Sequence, residues 1–317
     1  MGEEIAVELY RRYRPTRFKD VLGQPEAVKQ LAGMLRENKL PHCLLFSGPS
    51  GTGKTTLARI LKGKLNCCDR DFIEVNAAES RGIDMVRDLG QSMPLAPWQQ
   101  GGCRIFLIDE AHKLTSDAQG AFLKKLEDTP QHVYFFLATT DPHKLLPTIR
   151  TRATEVVLKL LDDESMSFLL ESVIEKEIVN TPEDGRDWGK VIQRLVEVCS
   201  GSARKALVIL HQVMQLPTTG EQLEAIQKQD TARQAIDIAR CLMDTKATWP
   251  QIAKLLQQVE AEPEDVRRLV LAYAAKVLLG GSNVSRAYNV LEVFRAPFYD
   301  SGKPGLVWAC AEVFRSK

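Results

Sequence analysis

The first half of the chain alternates short apolar runs with segments in which apolar residues recur at every third or fourth position. The apolar runs have strand length and lie at residues 43–46, 72–75, 104–108, 133–138 and 156–158. The segments with helical spacing lie at residues 24–37, 55–65, 83–89 and 116–127. Because buried parallel strands are mainly apolar throughout and alternate with helices, this pattern predicts an α/β domain with a parallel sheet.

After about residue 160 the strand-like runs stop and only helical spacing continues. The predicted helices lie at residues 163–177, 187–199, 203–215, 220–227, 229–243, 249–259, 263–279 and 284–295. Turn-forming residues at 182–185 and 217–220 separate some of them, and residues 297–304 read as a loop. We therefore predict an α/β domain followed by two small helical domains, with bounds at residues 1–159, 160–227 and 228–317.

Composition places the chain among ordinary globular proteins. Its 317 residues suggest two or three domains, and it contains 44% hydrophobic and 26% charged residues. It has no apolar stretch of membrane-spanning length, and the first residues lack the apolar core of a signal peptide. Seven scattered cysteines indicate a reducing compartment. We expect a cytoplasmic or nuclear protein with no membrane partner.

The strongest chemical signal is the phosphate-binding loop at residues 48–55, with the sequence Gly-Pro-Ser-Gly-Thr-Gly-Lys-Thr. It follows a predicted strand and opens a predicted helix, so that backbone N–H groups and the helix N-terminus can surround phosphates. Lys54 would reach the β- and γ-phosphates, and the Thr55 hydroxyl would ligate Mg²⁺. The predicted nucleotide-binding residues of this loop and the following helix are Gly48, Gly51, Thr52, Gly53, Lys54, Thr55 and Thr56.

Candidate catalytic residues follow later strands. Asp109 and Glu110 end a buried strand about 55 residues after Lys54. Asp109 can join the Mg²⁺ shell, and Glu110 can polarise the attacking water. Three further candidates are Thr140, Arg152 and Arg204, and the residues alone leave two interpretations open for each. Thr140 could hold the attacking water or sense the γ-phosphate, but a strand-end threonine also caps helices. Either arginine could stabilise phosphate charge, but an arginine is often only surface charge. His112 reads as a structural or coupling residue.

Together these motifs resemble the ATPase subunits of sliding-clamp loaders, which are AAA+ proteins. The relevant subunits are the bacterial DNA polymerase III gamma/tau subunit, the replication factor C small subunits and the large subunit of T4-like phage loaders. The resemblance runs over residues 9–215. The residues that carry it are 13–15, 20–24, 48–55, 74–77, 81–84 with Val86 and Arg87, 109–112, 137–142, 151–152 and 201–204.

The resemblance implies a role for individual residues around bound ATP. Thr140 would act as the first sensor of the γ-phosphate and Arg204 as the second, which closes the helical lid. Arg152 would complete the site of a neighbouring subunit in trans. The adenine pocket would be formed by Arg11, Arg12, Tyr13 and Leu22.

The resemblance also implies partners and a reaction. The protein would be an ATPase stimulated by DNA and clamp, with ATP and Mg²⁺ as cofactors, that opens a ring clamp and places it on primer–template DNA. The last domain would be the collar of a homo- or hetero-oligomer, which the resemblance implies is a pentamer. Arg81 and Arg87 would follow the DNA backbone, unless they form a solvated basic surface. Residues 93–98 would contact the clamp, although core packing of Trp98 is an equal alternative.

Three departures from the family are present, and the two absences among them favour the phage and replication factor C branches. Ala153 stands where the family motif Ser-Arg-Cys has cysteine, and there is no long C-terminal tail. The zinc-binding cysteines of bacterial gamma/tau are absent, since the adjacent Cys67 and Cys68 lack the required spacing. Two alternatives stay open: another AAA+ DNA motor such as a branch-migration helicase, and a scaffold subunit that binds nucleotide without hydrolysis.

Overall fold

The computed structural model describes residues 8–178, 185–259, 261–281 and 283–316. The chain divides into two compact units, Met1–Gln215 and Leu216–Lys317. Residues 182–184 of the predicted turn lie outside the described residues. None of the helices in the described ranges is both long and apolar enough to cross a bilayer.

The first unit is built on a five-stranded parallel sheet with the strand order β2-β3-β4-β1-β5. The strands are β1 (Cys43–Ser47), β2 (Phe72–Asn76), β3 (Arg104–Asp109), β4 (Val133–Thr139) and β5 (Thr154–Val157). The central strands β3, β4 and β1 are almost fully buried, which explains their continuous apolar sequences. The predicted α/β class with a parallel sheet is confirmed.

Nine helices accompany this sheet in the described part of the first unit. They are α1 (Leu9–Arg12), α2 (Pro25–Arg36), α3 (Lys54–Lys64), α4 (Ile83–Ser92), α5 (Ser116–Glu127), α6 (Pro147–Arg150), α7 (Asp163–Ile178), α8 (Trp188–Cys199) and α9 (Ala203–Val213). Two apolar layers pack against the sheet. Leu57 and Leu61 of α3 share one layer with Phe136 of β4. On the other face, the rings of Phe122 and Phe135 meet edge to face with centroids 5.0 Å apart.

The described part of the second unit is helical. Its helices are α10 (Thr219–Met243), α11 (Trp249–Gln257), α12 (Pro263–Leu279), α13 (Val284–Val293) and α14 (Gly302–Arg315). Their apolar faces form one core around side chains such as Ile238, Val270 and Phe294. No strand occurs among these described residues, so the hairpin of a winged-helix domain is not found in them.

Two predictions about the second unit were wrong. The helices predicted at 220–227 and 229–243 are one continuous helix, α10, because the polar stretch between them contains no glycine or proline to end it. The predicted boundary between residues 227 and 228 falls inside this helix, and the division into three domains stays a prediction. Helix α14 was missed because Pro304 suggested a loop, but proline is tolerated in the first turn of a helix.

A buried carboxylate joins the start of α12 to the segment before α14. Glu264 accepts hydrogen bonds from Arg267 Nη2 at 2.6 Å and from the backbone N–H of Phe298 at 2.8 Å. Arg267 Nε and Arg268 Nε add two further bonds, at 2.8 and 3.3 Å. The hydrogen bonds from Arg267 and Phe298, supported by the charge of Arg268, lower the pKa of Glu264 to about 2. The ionised carboxylate therefore stabilises the folded second unit.

We predict that Glu264→Gln lowers the free energy of unfolding of the second unit by about 2 kcal/mol at pH 7, because charge-assisted hydrogen bonds are lost. The unfolded glutamate has a pKa of about 4.3, so the wild-type advantage is complete above pH 5 and shrinks as the pH falls toward 2. Urea unfolding of the full chain, with hydrogen exchange of peptides from residues 263–298, measures this difference.

The control is Asp265→Asn, which removes an exposed carboxylate from the same helical turn. It is expected to change stability by less than about 0.5 kcal/mol at any of these pH values. A Glu264→Gln effect as small as the control, or one that grows on acidification, would contradict the structural role of Glu264.

Candidate nucleotide-binding site

The phosphate-binding loop connects β1 to α3 and depends on glycine at tight positions. Gly48 has φ +144° and Gly51 has φ +81°. A Cβ atom at Gly48 would lie 2.2 Å from the carbonyl oxygen of Leu158, and one at Gly51 would lie 2.3 Å from Ser202 Oγ. Only glycine fits both the backbone conformation and these close approaches, so the loop is packed against both β5 and the start of α9.

Lys54, the first residue of α3, is held against the loop. Its Nζ donates hydrogen bonds to the carbonyl oxygens of Gly48 at 2.7 Å and Pro49 at 2.8 Å. The residue is only 8% exposed, and this burial lowers the pKa of the lysine. The loop thus positions a single ammonium group at its own centre, as binding of a polyphosphate requires.

Thr55 and Asp109 meet although 54 residues separate them in sequence. Thr55 Oγ1 donates to Asp109 Oδ2 at 3.3 Å, and Asp109 Oδ1 accepts from the backbone N–H of Glu110 at 2.9 Å. A hydroxyl and a carboxylate are oxygen ligands of the kind Mg²⁺ prefers. These two residues fit the predicted metal role, with the remaining coordination positions left for water and phosphate oxygens.

Glu110 sits in a left-handed backbone conformation, with φ +52°. Its carboxylate Oε2 lies 3.4 Å from His112 Nδ1, and the same nitrogen lies 3.0 Å from the hydroxyl of Thr139. Burial lowers the pKa of His112, which favours a neutral imidazole. Glu110 is therefore oriented by a polar chain that reaches the end of β4.

The hydroxyl that contacts His112 at the end of β4 belongs to Thr139. We predicted the next residue, Thr140, instead. Thr139 is fully buried, contacts His112 and accepts a hydrogen bond from the Asp141 N–H at 3.0 Å. Thr140, the predicted sensor, is exposed and does not line the cavity described below. Its sensor role stays a prediction.

A cavity of about 590 Å³ opens beside the loop, a volume suited to a nucleotide-sized ligand. Its wall combines the N-terminal segment, the phosphate-binding loop and the helices α7 and α9. The predicted site residues that line it are Arg12, Tyr13, Leu22, Gly51, Thr52, Gly53, Lys54, Thr55, Thr56, Asp109, Glu110 and Arg204. The predicted residues outside its wall are Arg11, Gly48, Thr140, Arg152, Arg81 and Arg87.

The N-terminal segment is tied to α7 across the cavity by Glu177. Its carboxylate accepts two hydrogen bonds from Arg12 Nη1, at 2.6 and 2.8 Å, and one from the Tyr13 hydroxyl at 2.5 Å. Burial, together with the bond to Glu177, raises the pKa of Tyr13 to about 12. Burial alone would raise the pKa of Glu177, but the bonds from Tyr13 and Arg12 lower it. We name Arg12, Tyr13 and Glu177 the clasp.

Arg204 reaches the cavity from the first turn of α9. Its guanidinium lies 5.7 Å from the ring centroid of Tyr10, within cation–π distance. Ser202, which caps the same helix, donates to the carbonyl oxygen of Ser50 at 3.4 Å. The start of α9 therefore touches the phosphate-binding loop, and Arg204 lies where a lid residue could contact phosphates.

The Arg152 side chain forms its hydrogen bonds outside the nucleotide cavity. Its Nη2 donates to Glu127 Oε1 at 2.7 Å and its Nη1 to the carbonyl oxygen of Thr148 at 3.1 Å. The side chain is 42% exposed. It does not line the cavity of its own chain, so any catalytic role would be in a neighbouring site.

The two predicted DNA-binding arginines are exposed. Arg81 precedes α4, and its carbonyl oxygen accepts from the Thr115 N–H at 3.1 Å. Arg87 lies on α4 and donates to Asp84 Oδ1 at 2.9 Å. Both alternatives for these residues, a DNA contact and a solvated basic surface, fit this exposure.

The segment 93–98 presents apolar side chains to solvent. Trp98 is 72% exposed, so the alternative of core packing for this residue is wrong, and its ring stacks with Arg70 at 4.2 Å. The segment is anchored by Asp71, which accepts from the Trp98 N–H at 2.7 Å and from Arg104 Nη2 at 2.8 Å. The buried Asp71–Arg104 pair thereby fixes the exposed segment to the sheet.

The adjacent Cys67 and Cys68 lie near Asp71, the residue that anchors the segment 93–98. Cys68 Sγ donates to Asp71 Oδ2 at 3.1 Å, and Cys67 is buried beside α3. In the ranges that the structure describes, no group of three or more histidine, cysteine, aspartate or glutamate side chains is placed to hold a metal ion.

Comparison with solved structures shows the fold. The Thermotoga maritima RuvB Holliday junction branch migration motor matches with a TM-score of 0.56 and 17% identity, over 77% of this chain and 85% of that chain. Its K64R mutant matches with a TM-score of 0.57 over 78% and 86%. The chain has the AAA+ fold. At this identity the likeness concerns the fold alone.

Comparison with sequences points to replication proteins. A family model described as DNA polymerase III, delta subunit, matches residues 68–162. The gamma/tau subunit of DNA polymerase III from Mycobacterium tuberculosis is 35% identical over 229 residues, and the tau subunit of Escherichia coli is 37% identical over 228. Each alignment covers 65% of this chain. The predicted resemblance to clamp-loader ATPase subunits is confirmed.

The coverage of these relatives is partial. The matched region spans 38% of the mycobacterial subunit and 34% of the Escherichia coli subunit. The similarity to bacterial gamma and tau subunits holds although the zinc-binding cysteines of that branch are absent here.

We predict that Glu177→Gln speeds release of a fluorescent ADP about tenfold, because the neutral amide loses the ion pair with Arg12 and binds the Tyr13 hydroxyl more weakly than the carboxylate does. Stopped-flow displacement by excess unlabelled ADP measures the release rate. The control is Glu171→Gln, which neutralises an exposed carboxylate of the same helix. If both variants released ADP at the wild-type rate, the clasp would have no part in retaining nucleotide.

Proposed function

We propose that the chain is the ATPase subunit of a sliding-clamp loader, which opens a ring clamp and places it on primer–template DNA. The observation that carries this proposal is the similarity to DNA polymerase III gamma/tau and tau subunits over 65% of the chain. The juxtaposition of Lys54, Thr55 and Asp109 supports an active nucleotide site rather than a degenerate one.

The reaction is hydrolysis of the γ-phosphoryl group of ATP. Lys54 would leave the loop carbonyls to neutralise the β- and γ-phosphates, and Thr55 and Asp109 would hold the metal ion. Bound Mg²⁺ supplies positive charge that stabilises the phosphate oxygens in the transition state. Glu110, oriented through His112, accepts a proton from the attacking water.

Arginines complete the charge stabilisation. Arg204, in the cavity wall, contacts the γ-phosphate and couples nucleotide binding to closure of the helical lid. Arg152 acts on the cavity of the next subunit, since it lies outside its own cavity and is partly exposed. ATP thus joins neighbouring subunits of an oligomer, for which the helical C-terminal domain forms the collar.

The remaining partners are assigned to exposed residues of the first unit. Arg81 lies just before α4 and Arg87 lies in the middle of it, where guanidinium groups would contact DNA phosphates without reading sequence. Leu95 and Trp98 are exposed on a segment that the buried Asp71–Arg104 pair holds in place. A fixed, exposed apolar pair of this kind suits a contact with the clamp ring.

We predict that ATP hydrolysis by the assembled chain rises at least about tenfold when primer–template DNA and the sliding clamp of the same genome are both added. A coupled phosphate-release assay measures the rate, and Glu110→Gln provides the background. A nucleotide-binding scaffold would show no hydrolysis above that background. A branch-migration motor would respond to DNA alone and would displace strands, and either outcome would overturn the loader proposal.

A complementation assay tests the trans role of Arg152. Arg152→Ala and Glu110→Gln oligomers are each expected to lose at least about 100-fold in the rate of hydrolysis. An equal mixture should recover about a quarter of wild-type activity, because half of the sites keep Glu110 and half of their neighbours keep Arg152. If the mixture stayed inactive, Arg152 would not act across a subunit interface.

A further inference from the structure

We propose that Cys67 and Cys103 are a site of reversible oxidation, at which hydrogen peroxide converts the two thiols into a disulfide bond. This inference goes beyond the proposed function and does not depend on it. Cys67 follows the end of α3, and Cys103 immediately precedes β3. Both therefore lie at the end of the sheet opposite to the nucleotide cavity, and both are free thiols in the structure.

Backbone packing brings the two cysteines together. A Cβ atom placed at Gly102 would lie 3.0 Å from the carbonyl oxygen of Asn66, so the residues that precede the two cysteines are in close contact. Cys103 Sγ donates a hydrogen bond to the carbonyl oxygen of Leu65 at 3.4 Å. The two thiols are also hydrogen-bonded to each other. Only a small approach of the sulfur atoms is then needed to reach the bond length of about 2.05 Å in a disulfide.

The hydrogen bond between the thiols gives the two cysteines different roles. It lowers the pKa of Cys103, because a thiol donor stabilises the neighbouring thiolate. The same bond, together with burial, raises the pKa of Cys67. A thiolate beside a protonated thiol is the arrangement in which one cysteine is oxidised and the other resolves the product. Cys103 is therefore the residue that reacts first, and Cys67 is the resolving cysteine.

Both thiols lie just below the surface. Cys67 is 7% exposed and Cys103 is 6% exposed, and the nearby residues Asn66 and Gly101 are open to solvent. A small oxidant reaches such a position through local opening of the exposed turns. The adjacent Cys68 is less buried, but its thiol donates to Asp71 Oδ2 at 3.1 Å. Exposure alone would favour Cys68, whereas contact between the thiols favours the pair of Cys67 and Cys103.

The reaction with hydrogen peroxide takes two steps. The Cys103 thiolate attacks one oxygen atom of the peroxide, the O–O bond breaks, hydroxide leaves, and Cys103 becomes a sulfenic acid. The Cys67 sulfur then attacks the Cys103 sulfur, the S–O bond breaks, and water leaves with the proton of the Cys67 thiol. Two thiols and one peroxide thus give one disulfide and two molecules of water. An added dithiol reduces the bond by two successive exchanges and is itself oxidised to a disulfide.

The test is oxidation of the folded full chain with hydrogen peroxide, followed by alkylation of the remaining thiols and peptide mapping by mass spectrometry. We expect a peptide pair linked through Cys67 and Cys103, with a mass about 2 Da below that of the two reduced peptides, which dithiothreitol separates. The bond should also raise the midpoint of thermal unfolding of the first unit by at least about 4 °C, because it restricts the unfolded chain.

Two serine variants, with folding checked by circular dichroism, separate the roles of the cysteines. Cys67→Ser should leave Cys103 as a sulfenic acid that dimedone labels. The matched control is Cys68→Ser, which should form the same disulfide as the wild-type chain.

Three results would overturn the inference. The first is a wild-type chain in which Cys103 stays reduced or is linked to Cys68. The second is a bond between Cys67 and Cys103 that forms in urea but not in the folded chain. The third is a bond that leaves the unfolding midpoint unchanged or lowers it, since such a bond would not fit the native packing.

Discussion

The parallel register of the sheet is the constraint on which the nucleotide site depends. Because every paired strand runs in the same direction, the carboxyl ends of β1, β3 and β4 lie at one edge. The register pairs Ser47 with Thr139 and Asn76 with Asp109. The glycine loop, the acidic pair and the strand-end hydroxyl are thus brought together by backbone hydrogen bonding before any ligand is present.

The sheet edge supplies only half of the cavity. The other half comes from the N-terminal segment and from α7 and α9, which are far apart in sequence and meet over the loop. The clasp around Glu177 and the contact between Ser202 and Ser50 hold these parts in place. Their hydrogen bonds are few compared with the apolar layers under the sheet, so we expect this side of the cavity to open more readily than the sheet side.

The parts that were predictable from sequence are those encoded by local patterns. Apolar runs identified all five strands, and residues 48–55 identified the loop because its glycines and Lys54 occur at a fixed spacing. The acidic pair was recognisable because Asp109 and Glu110 end a buried strand. In each case the residues that determine the structure are neighbours in the chain, so a single sequence contains the whole signal.

Other features depend on contacts across long sequence separations. Glu177 meets Arg12 across 165 positions, and no local pattern marks it as a partner. It is Thr139, not the predicted Thr140, whose side chain contacts His112, and the exposed Trp98 is anchored through its backbone N–H to Asp71. The continuity of α10 was missed because its polar middle interrupts the apolar spacing without interrupting the helix.

We propose that each chain binds one Mg·ATP, with its phosphates held by Lys54 at the carboxyl edge of the sheet. The most direct test is calorimetric titration of Mg·ATP into the wild-type chain and into Lys54→Ala, with folding of both checked by circular dichroism. We expect one nucleotide per wild-type chain and at least about 100-fold weaker binding to the variant. Equal binding to the two chains would contradict it, as would no binding to the wild type.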